Sequence, residues 1–333
     1  MDAAVRGRFL RDCAVPALLL AAVGTVSGGA LAQPAKYPYK AVRFIVPYGV
    51  GGNADLVARV IGKYLGEALG CQIVIDDRPG AGGNLGAEVG AHAAPDGYTL
   101  TLGTNTHASN MSLYRKSQYD FIRDFTPVSF LGSTPVLLAV TPSLPVTTVQ
   151  ELITLAKAKP GQLNYASGGN GSSAHLATEL FKTTAGVDIV HITYKGAGGG
   201  INELIAGQVQ VMFSSLTSLL PHVNSGRLRG IAVASLQRVA LVPQLPTIAE
   251  SGLPGFDAAL WVALMAPAGT PQPIIKRLNR ETDRVVGNPE VIEQLRRQGF
   301  TATTKPPQVL AAFIKSEVAK WAAVVKAAGA HAD

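Results

Sequence analysis

The stretch Val42-Arg-Phe-Ile-Val-Pro-Tyr-Gly-Val-Gly-Gly-Asn-Ala-Asp55 decides the fold. Its first five residues are apolar apart from Arg43 and read as a buried strand. Pro47 ends that strand, because proline brings no N–H to a ladder. Gly49, Gly51 and Gly52 follow, as a tight turn that lets the backbone approach a ligand. From Ala54 to Leu69, the residues Leu56, Val57, Val60, Ile61, Tyr64, Leu65 and Ala68 recur at helical spacing. Strand, glycine turn and helix, in that order, open a layered α/β domain. A helix beginning in such a turn leaves its first N–H groups unpaired and carries about half a positive charge. It therefore suits a carboxylate.

Further along the chain the alternation repeats. Strands are expected at 72–75, 98–102, 136–140, 163–166, 189–193, 209–213, 228–234 and 261–266. Helices are expected at 86–93, 148–157, 172–185, 200–206, 216–224, 271–286, 289–297 and 307–327. This order predicts α/β layers with largely parallel sheets. Segments near 132–136 and 250–258 read as crossings between two lobes. One lobe then comprises 33–132 and 251–333, the other 133–250.

Three more loops leave a strand and open a helix: Gly103-Thr-Asn-Thr-His-Ala108, Tyr165-Ala-Ser-Gly-Gly-Asn-Gly-Ser-Ser-Ala-His175 and Tyr194-Lys-Gly-Ala-Gly-Gly-Gly200. Open α/β sheets bind ligands beyond the carboxyl ends of their strands, so several such loops on one chain point to one site. The loop N–H groups of Gly52, Asn53 and Ala54, and of Asn170, Gly171 and Ser172, are expected to hold an anion. The side chains of Asn53, Ser167 and Ser172 add hydrogen bonds, and waters complete the shell. Tyr48, Gly51 and Gly168 belong to the same loops. Asp55, in the first turn of its helix, is expected to orient the loop. No arginine sits in any of them, which argues against an Arg–carboxylate fork. Lys195 is the one nearby cation, and a surface position is expected for it.

Enzyme readings find less support. Gly49-x-Gly51 begins a dinucleotide fingerprint, but Ala54 stands where the third glycine belongs. Asp76 and Asp77 at the end of the second strand keep that reading open as a minor one. P-loop and Gly-x-Ser-x-Gly patterns are absent. The histidines are scattered without metal-ligand spacing; His175 and His191 are expected to be structural rather than catalytic, and His175, at the end of the second glycine-rich loop, is also expected among the ligand-binding residues.

The first residues read as an export signal. Arg6, Arg8 and Arg11 precede the apolar run Ala14–Val26, and Ala30-Leu31-Ala32 places cleavage before Gln33. The run is shorter than the ~20 residues that span a bilayer. Cleavage leaves 301 residues with a net charge of +6. That length forms about two domains. The positive balance is dispersed, with no basic run suited to nucleic acid. Cys71 alone survives cleavage, so no internal disulfide is expected.

Together the loops resemble the substrate-receptor family of the tripartite tricarboxylate transporters, also called Bug proteins. The matching segments are Val46-Pro-Tyr with Gly-Gly-Asn-Ala-Asp55, Asp77-Arg-Pro-Gly-Ala-Gly-Gly-Asn-Leu-Gly86 and Ala94-Pro-Asp-Gly-Tyr-Thr-Leu100. Lys157-Ala-Lys-Pro-Gly-Gln-Leu-Asn-Tyr165, Tyr194-Lys-Gly196, Gly207-Gln-Val-Gln-Val-Met-Phe213 and Leu264-x-Ala-Pro-Ala-Gly-Thr270 match too, so the resemblance runs through residues 37–330. It implies a periplasmic-binding-protein fold of the second topological type, in which two α/β lobes close on a small ligand, usually a carboxylate. It also implies a monomeric periplasmic receptor, without cofactor or catalysis, that delivers its ligand to a two-component membrane permease. Family members hold the carboxylate chiefly by the first β–α loop and its counterpart in the second lobe. Those map here onto Gly51–Asp55 and Ser167–Ser172.

This sequence departs from the family at Val50, where proline is common, and at Ser214-Ser215, where many relatives are acidic. The stretch Thr104–Asn110 also diverges. Ser214, Ser215, Thr104, Asn105, Thr106 and His107 are therefore expected to meet the distal part of the ligand. A periplasmic enzyme acting on a small organic acid, or a sensor subunit presenting a ligand to a signalling protein, are the rival readings.

Overall fold

The computed structural model describes residues 37–332 apart from Lys195. The export signal and Lys195 lie outside the described residues. Along the chain, β1 (Val42–Val46) leads to α1 (Asn53–Leu69), β2 (Ile73–Asp77), α2 (Asn84–Ala91), β3 (Thr99–Thr104), α3 (Asn105–Leu113) and β4 (Phe125–Thr134). Then come β5 (Val136–Val140), α4 (Val149–Ala158), β6 (Asn164–Ser167), α5 (Ser173–Ala185), β7 (Val190–Thr193), α6 (Ala197–Ile205), β8 (Val211–Ser215), α7 (Leu216–Asn224) and β9 (Arg229–Val233). The chain closes with β10 (Leu260–Pro267), α8 (Gln272–Val286), α9 (Pro289–Arg297), β11 (Thr301–Ala302) and α10 (Pro307–Ala328).

Two sheets result. One has the order β11-β4-β10-β3-β1-β2, the other β7-β6-β8-β5-β9. In the first, β1 runs parallel to both β2 and β3, as the opening motif requires. The sheets are mixed rather than largely parallel. β10 is antiparallel to β3 and β4, and β5 is antiparallel to β8 and β9. The reason is the connectivity. β4 runs through Pro135 straight into β5 of the other sheet, and β10 returns the chain from the second sheet to the first. A strand that crosses between sheets needs no crossover helix, so nothing forces it parallel.

Helix α1 shows how the sequence sets the packing. Val57, Ala58, Ile61, Leu65 and Leu69 are buried on one stripe. Gly62 and Gly66 sit where a Cβ would press on Ile75, on Ile73 and on the Cys71 carbonyl, so the helix lies close on β2. Gly70 ends it in a left-handed conformation at φ 71°. Helix α10 packs on α3 and β4 and also on α5, so it straps both sheets. Its Glu317 is buried, and Oε2 accepts from the indole N–H of Trp261 at 2.8 Å and of Trp321 at 3.0 Å. Lys320 pairs with Glu317 and donates to the Asp257 carbonyl at 2.9 Å, on the segment leading back into β10.

Candidate functional site

The first loop is built on Asp55. This carboxylate is buried, accepts the Gly51 N–H at 2.7 Å and pairs with Arg59 Nε at 2.7 Å. Burial by itself would raise its pKa, but Arg59 and the Gly51 N–H hold it below the usual carboxylate range. A like charge here would repel an anion, yet Asp55 faces inward and its partners neutralise it. The first intrahelical bond of α1 runs from Leu56 N–H to Gly52 C=O at 3.0 Å. The N–H groups of Asn53, Ala54 and Asp55 precede it and have no helical acceptor. The Gly52 N–H, expected to point at a ligand, instead donates to Gly49 C=O at 3.3 Å and closes the turn.

The Asn53 side chain donates to Thr134 Oγ1, at the point where β4 leaves the first sheet. Pro135 next to it accepts from Leu216 N–H at 2.8 Å, at the end of β8. Strand β8 in turn pairs with β6, Ala166 opposite Met212. Asn53, Ser214 and Ser215 are joined through the crossing strand, since Ser214 and Ser215 stand opposite Leu137 and Val136 of β5. The carboxyl end of β8 thus lies beside the crossing strand that the Asn53 side chain reaches. Ser214 is half-buried, and its hydroxyl makes no bond among the described residues. Ser215 caps α7, with Oγ 2.6 Å from Ser218 Oγ.

In the second loop the Gly171 N–H donates to His175 Nδ1 at 3.0 Å, and the Ser172 N–H to Gly169 C=O at 3.2 Å. These two N–H groups, expected to hold an anion, are committed within the loop. Ser172 Oγ caps α5 by accepting the His175 N–H at 3.3 Å. The first intrahelical bond is Leu176 N–H to Ser172 C=O, so the unpaired N–H groups of α5 belong to Ser173 and Ala174. The sequence reading missed this pair by one turn position, because a Ser-Ser dipeptide offers two candidate caps. Asn170 remains exposed. Ser167 is buried, accepting the Gly169 N–H at 3.1 Å and lying 2.6 Å from His191 Nε2, so its hydroxyl shapes the loop from beneath.

The Thr104–His107 segment is corrected most. It is no open loop but the first turn of α3, and Thr104, Asn105 and His107 are buried. His107 Nδ1 accepts the Thr104 N–H at 3.0 Å, which caps the helix. Burial pushes the ring down to about 4, so it is neutral at physiological pH. Thr104 Oγ1 bonds the Tyr48 hydroxyl at 2.6 Å and braces the first loop. Thr106 alone of the four is half-exposed. A turn that the sequence reading left out of the site supports Tyr48. Gly80, Ala81, Gly82 and Gly83 all have positive φ, and a Cβ on Gly83 would lie 3.4 Å from the Tyr48 ring. The three glycines of this run were its signal, since glycine adopts that backbone without a Cβ penalty, whereas Ala81 at φ 47° bears one.

Among the described residues, no three His, Cys, Asp or Glu side chains are placed to hold a metal ion. Two helix N-termini, three glycine-rich turns and a serine pair at strand ends can hold a small anion by dipoles. Solved structures with the same fold include the periplasmic binding protein BugD, at 31% identity and a TM-score of 0.70, and a TctC solute binding protein from Polaromonas, at 26% identity and a TM-score of 0.77. The family model described as tripartite tricarboxylate transporter family receptor matches residues 57–330, and the chain belongs to that family. The chain is 37% identical to Protein BugT of Bordetella pertussis over 318 residues, 94% of this chain and 98% of that one. It is 39% identical to R. palustris Rpa4515 with adipate, covering 88% of this chain and 98% of that chain at a TM-score of 0.72. It is 34% identical to MatC from Rhodopseudomonas palustris with bound malate, covering 87% and 100% at a TM-score of 0.69. These neighbours are receptors rather than enzymes.

Proposed function

We propose that this chain is a periplasmic receptor that captures a small carboxylate between its two sheets and delivers it to a two-component permease of the tripartite tricarboxylate type. The observation that carries the reading is the pairing of two helix starts. The N–H groups of Asn53 and Ala54 on α1, and of Ser173 and Ala174 on α5, are unpaired at the carboxyl ends of β1 and β6. Adipate in one relative and malate in another support a carboxylate as the ligand class. Dipoles suffice, because the loops contain no arginine. Ser214, Ser215 and Thr106 supply the hydroxyls that face the far end of the ligand.

The two lobes close about the segments near 132–136 and 250–258, with 33–132 and 251–333 on one side and 133–250 on the other. The receptor works as a monomer. A thermal-shift screen of dicarboxylates, tricarboxylates, amino acids and aromatic acids tests the function. At a hundredfold excess over Kd a true ligand adds about 2.7 kcal/mol, which raises the melting point of a chain this size by about 4 °C. Recovery of the acid unchanged is part of the expected result. Turnover of any acid, with no acid shifting the melting point, overturns the reading.

A further inference from the structure

Behind the second loop lies a side-chain cluster that the binding geometry does not use. The rings of His175 and His191 stack at 4.2 Å with an interplanar angle of 7°, and Tyr165 stacks on His191 at 4.7 Å and 10°. Each histidine holds one end of the loop. His175 Nδ1 accepts the Gly171 N–H, and His191 Nε2 lies 2.6 Å from Ser167 Oγ. A cavity of about 340 Å³ opens beside them, lined by Asn170, His175, Glu179, Lys182, His191 and, from the chain beyond α10, His331.

We propose that His175 is the positioning residue of the Ser167–Ser172 loop, and that mild acid releases this loop by placing a proton on its Nδ1. The proposal rests on the receptor reading for its biological use, but its geometry stands without a ligand. An Nδ1 that accepts from Gly171 has its lone pair there and its proton on Nε2. A second proton must go to Nδ1, where it meets the Gly171 N–H. The bond is lost and two hydrogens oppose each other. A charge on either stacked ring also disfavours a charge on the other.

The charged groups facing the pair come from every neighbouring element. Glu179 and Lys182 lie on α5 itself, Tyr165 on β6, His191 on β7 and His331 after α10. Glu179 favours protonation, but its Oε1 already takes the Tyr165 hydroxyl at 2.7 Å and Lys182 Nζ at 2.8 Å, and Lys182 opposes it. Burial outweighs Glu179 and lowers His175 below the ordinary imidazole value; burial and His175 together push His191 down to about 4. The loop is therefore locked at neutral pH and loosens only in acid below the ordinary imidazole range.

The test uses the ligand-free, isotope-labelled protein and follows the Gly171 amide and the histidine ring signals from pH 7.5 to 4.5. The Gly171 shift should move in step with His175, and its protection factor should fall about tenfold for one lost hydrogen bond. His175→Asn sets Oδ1 where Nδ1 was, as an acceptor that does not titrate. It should keep the neutral-pH Gly171 shift and abolish the pH dependence. His175→Asn should also raise the His191 titration point, by removing the neighbouring charge. A Gly171 amide that stays constant while His175 titrates, or that follows the same course in His175→Asn, overturns the proposal. Titrations with adipate and malate across the same pH range separate the two ideas. Absence of binding at every pH, with the amide behaviour intact, would count against the receptor reading alone.

Discussion

Gly171 is held to glycine by its backbone and by its neighbour. Its φ is +72°, and a Cβ would come 2.3 Å from Leu113 Cδ2. The leucine end can swing away, so the backbone is the harder constraint. A left-handed β-branched residue costs at least about 1–2 kcal/mol. Gly171→Val should therefore displace the loop and weaken adipate or malate binding at least about tenfold, which calorimetric titration would show; unchanged affinity would remove this loop from the site. Ser214→Asp should leave folding intact but weaken a dianion by like-charge repulsion, and an unchanged ligand profile would take Ser214 out of selectivity.

His107 predicts a stability change with pH. Its native value lies near 4 against an ordinary 6.5, because burial disfavours the charged ring. Between those values the unfolded chain binds a proton that the native ring refuses. Stability is then full above about pH 6.5 and falls as pH drops toward 4, by about 3 kcal/mol in all. His107→Asn keeps an acceptor for the Thr104 N–H and should lack this component, read as the difference in urea midpoints between pH 7.5 and 5. At this scale the sequence revealed the loops but not the direction of their side chains. Serine, threonine and histidine both cap helices and touch ligands, and only the fold shows that Ser167, His107 and His175 face inward.

At the scale of elements, the expected ranges left out α3, β4 and the two-residue β11, and the first two omissions have physical causes. Helix α3 buries Asn105, His107, Ser109 and Asn110, so it has no apolar stripe to read. Strand β4 contains Pro127 and Gly132, which read as breakers, and it tolerates them beside a register shift against β10. Where a strand was continuous and apolar, as in β1 and β5, or a helix amphipathic, as in α1 and α8, the sequence placed it within a residue or two. Strap α10 carries its own prediction. Glu317→Ala leaves two buried indole N–H groups without an acceptor, at about 1–3 kcal/mol each. Urea unfolding should show a loss of about 2–4 kcal/mol at unchanged m, and a loss below about half a kcal/mol would mean that water replaces the carboxylate.

At the scale of the molecule, the alternation of strands and helices made the α/β class legible, and the glycine-rich loops pointed to the place where the site is proposed. The mixed sheets were not legible, because strand direction follows from how each crossing strand pairs, and the crossing expected near 132–136 carries no sign in the sequence of which way its strands pair. The crossing matters to the site, since it ties Asn53 through Thr134 to the end of β8. The central claim is that unpaired helix-start N–H groups, not a cationic side chain, hold an anion. Calorimetric titration of the best acid from the thermal screen, alongside its uncharged amide, tests this most directly. The account predicts one acid bound per chain and no detectable amide binding, with affinity for the acid only weakly dependent on salt. Equal binding of acid and amide, or no binding of any acid, would contradict it.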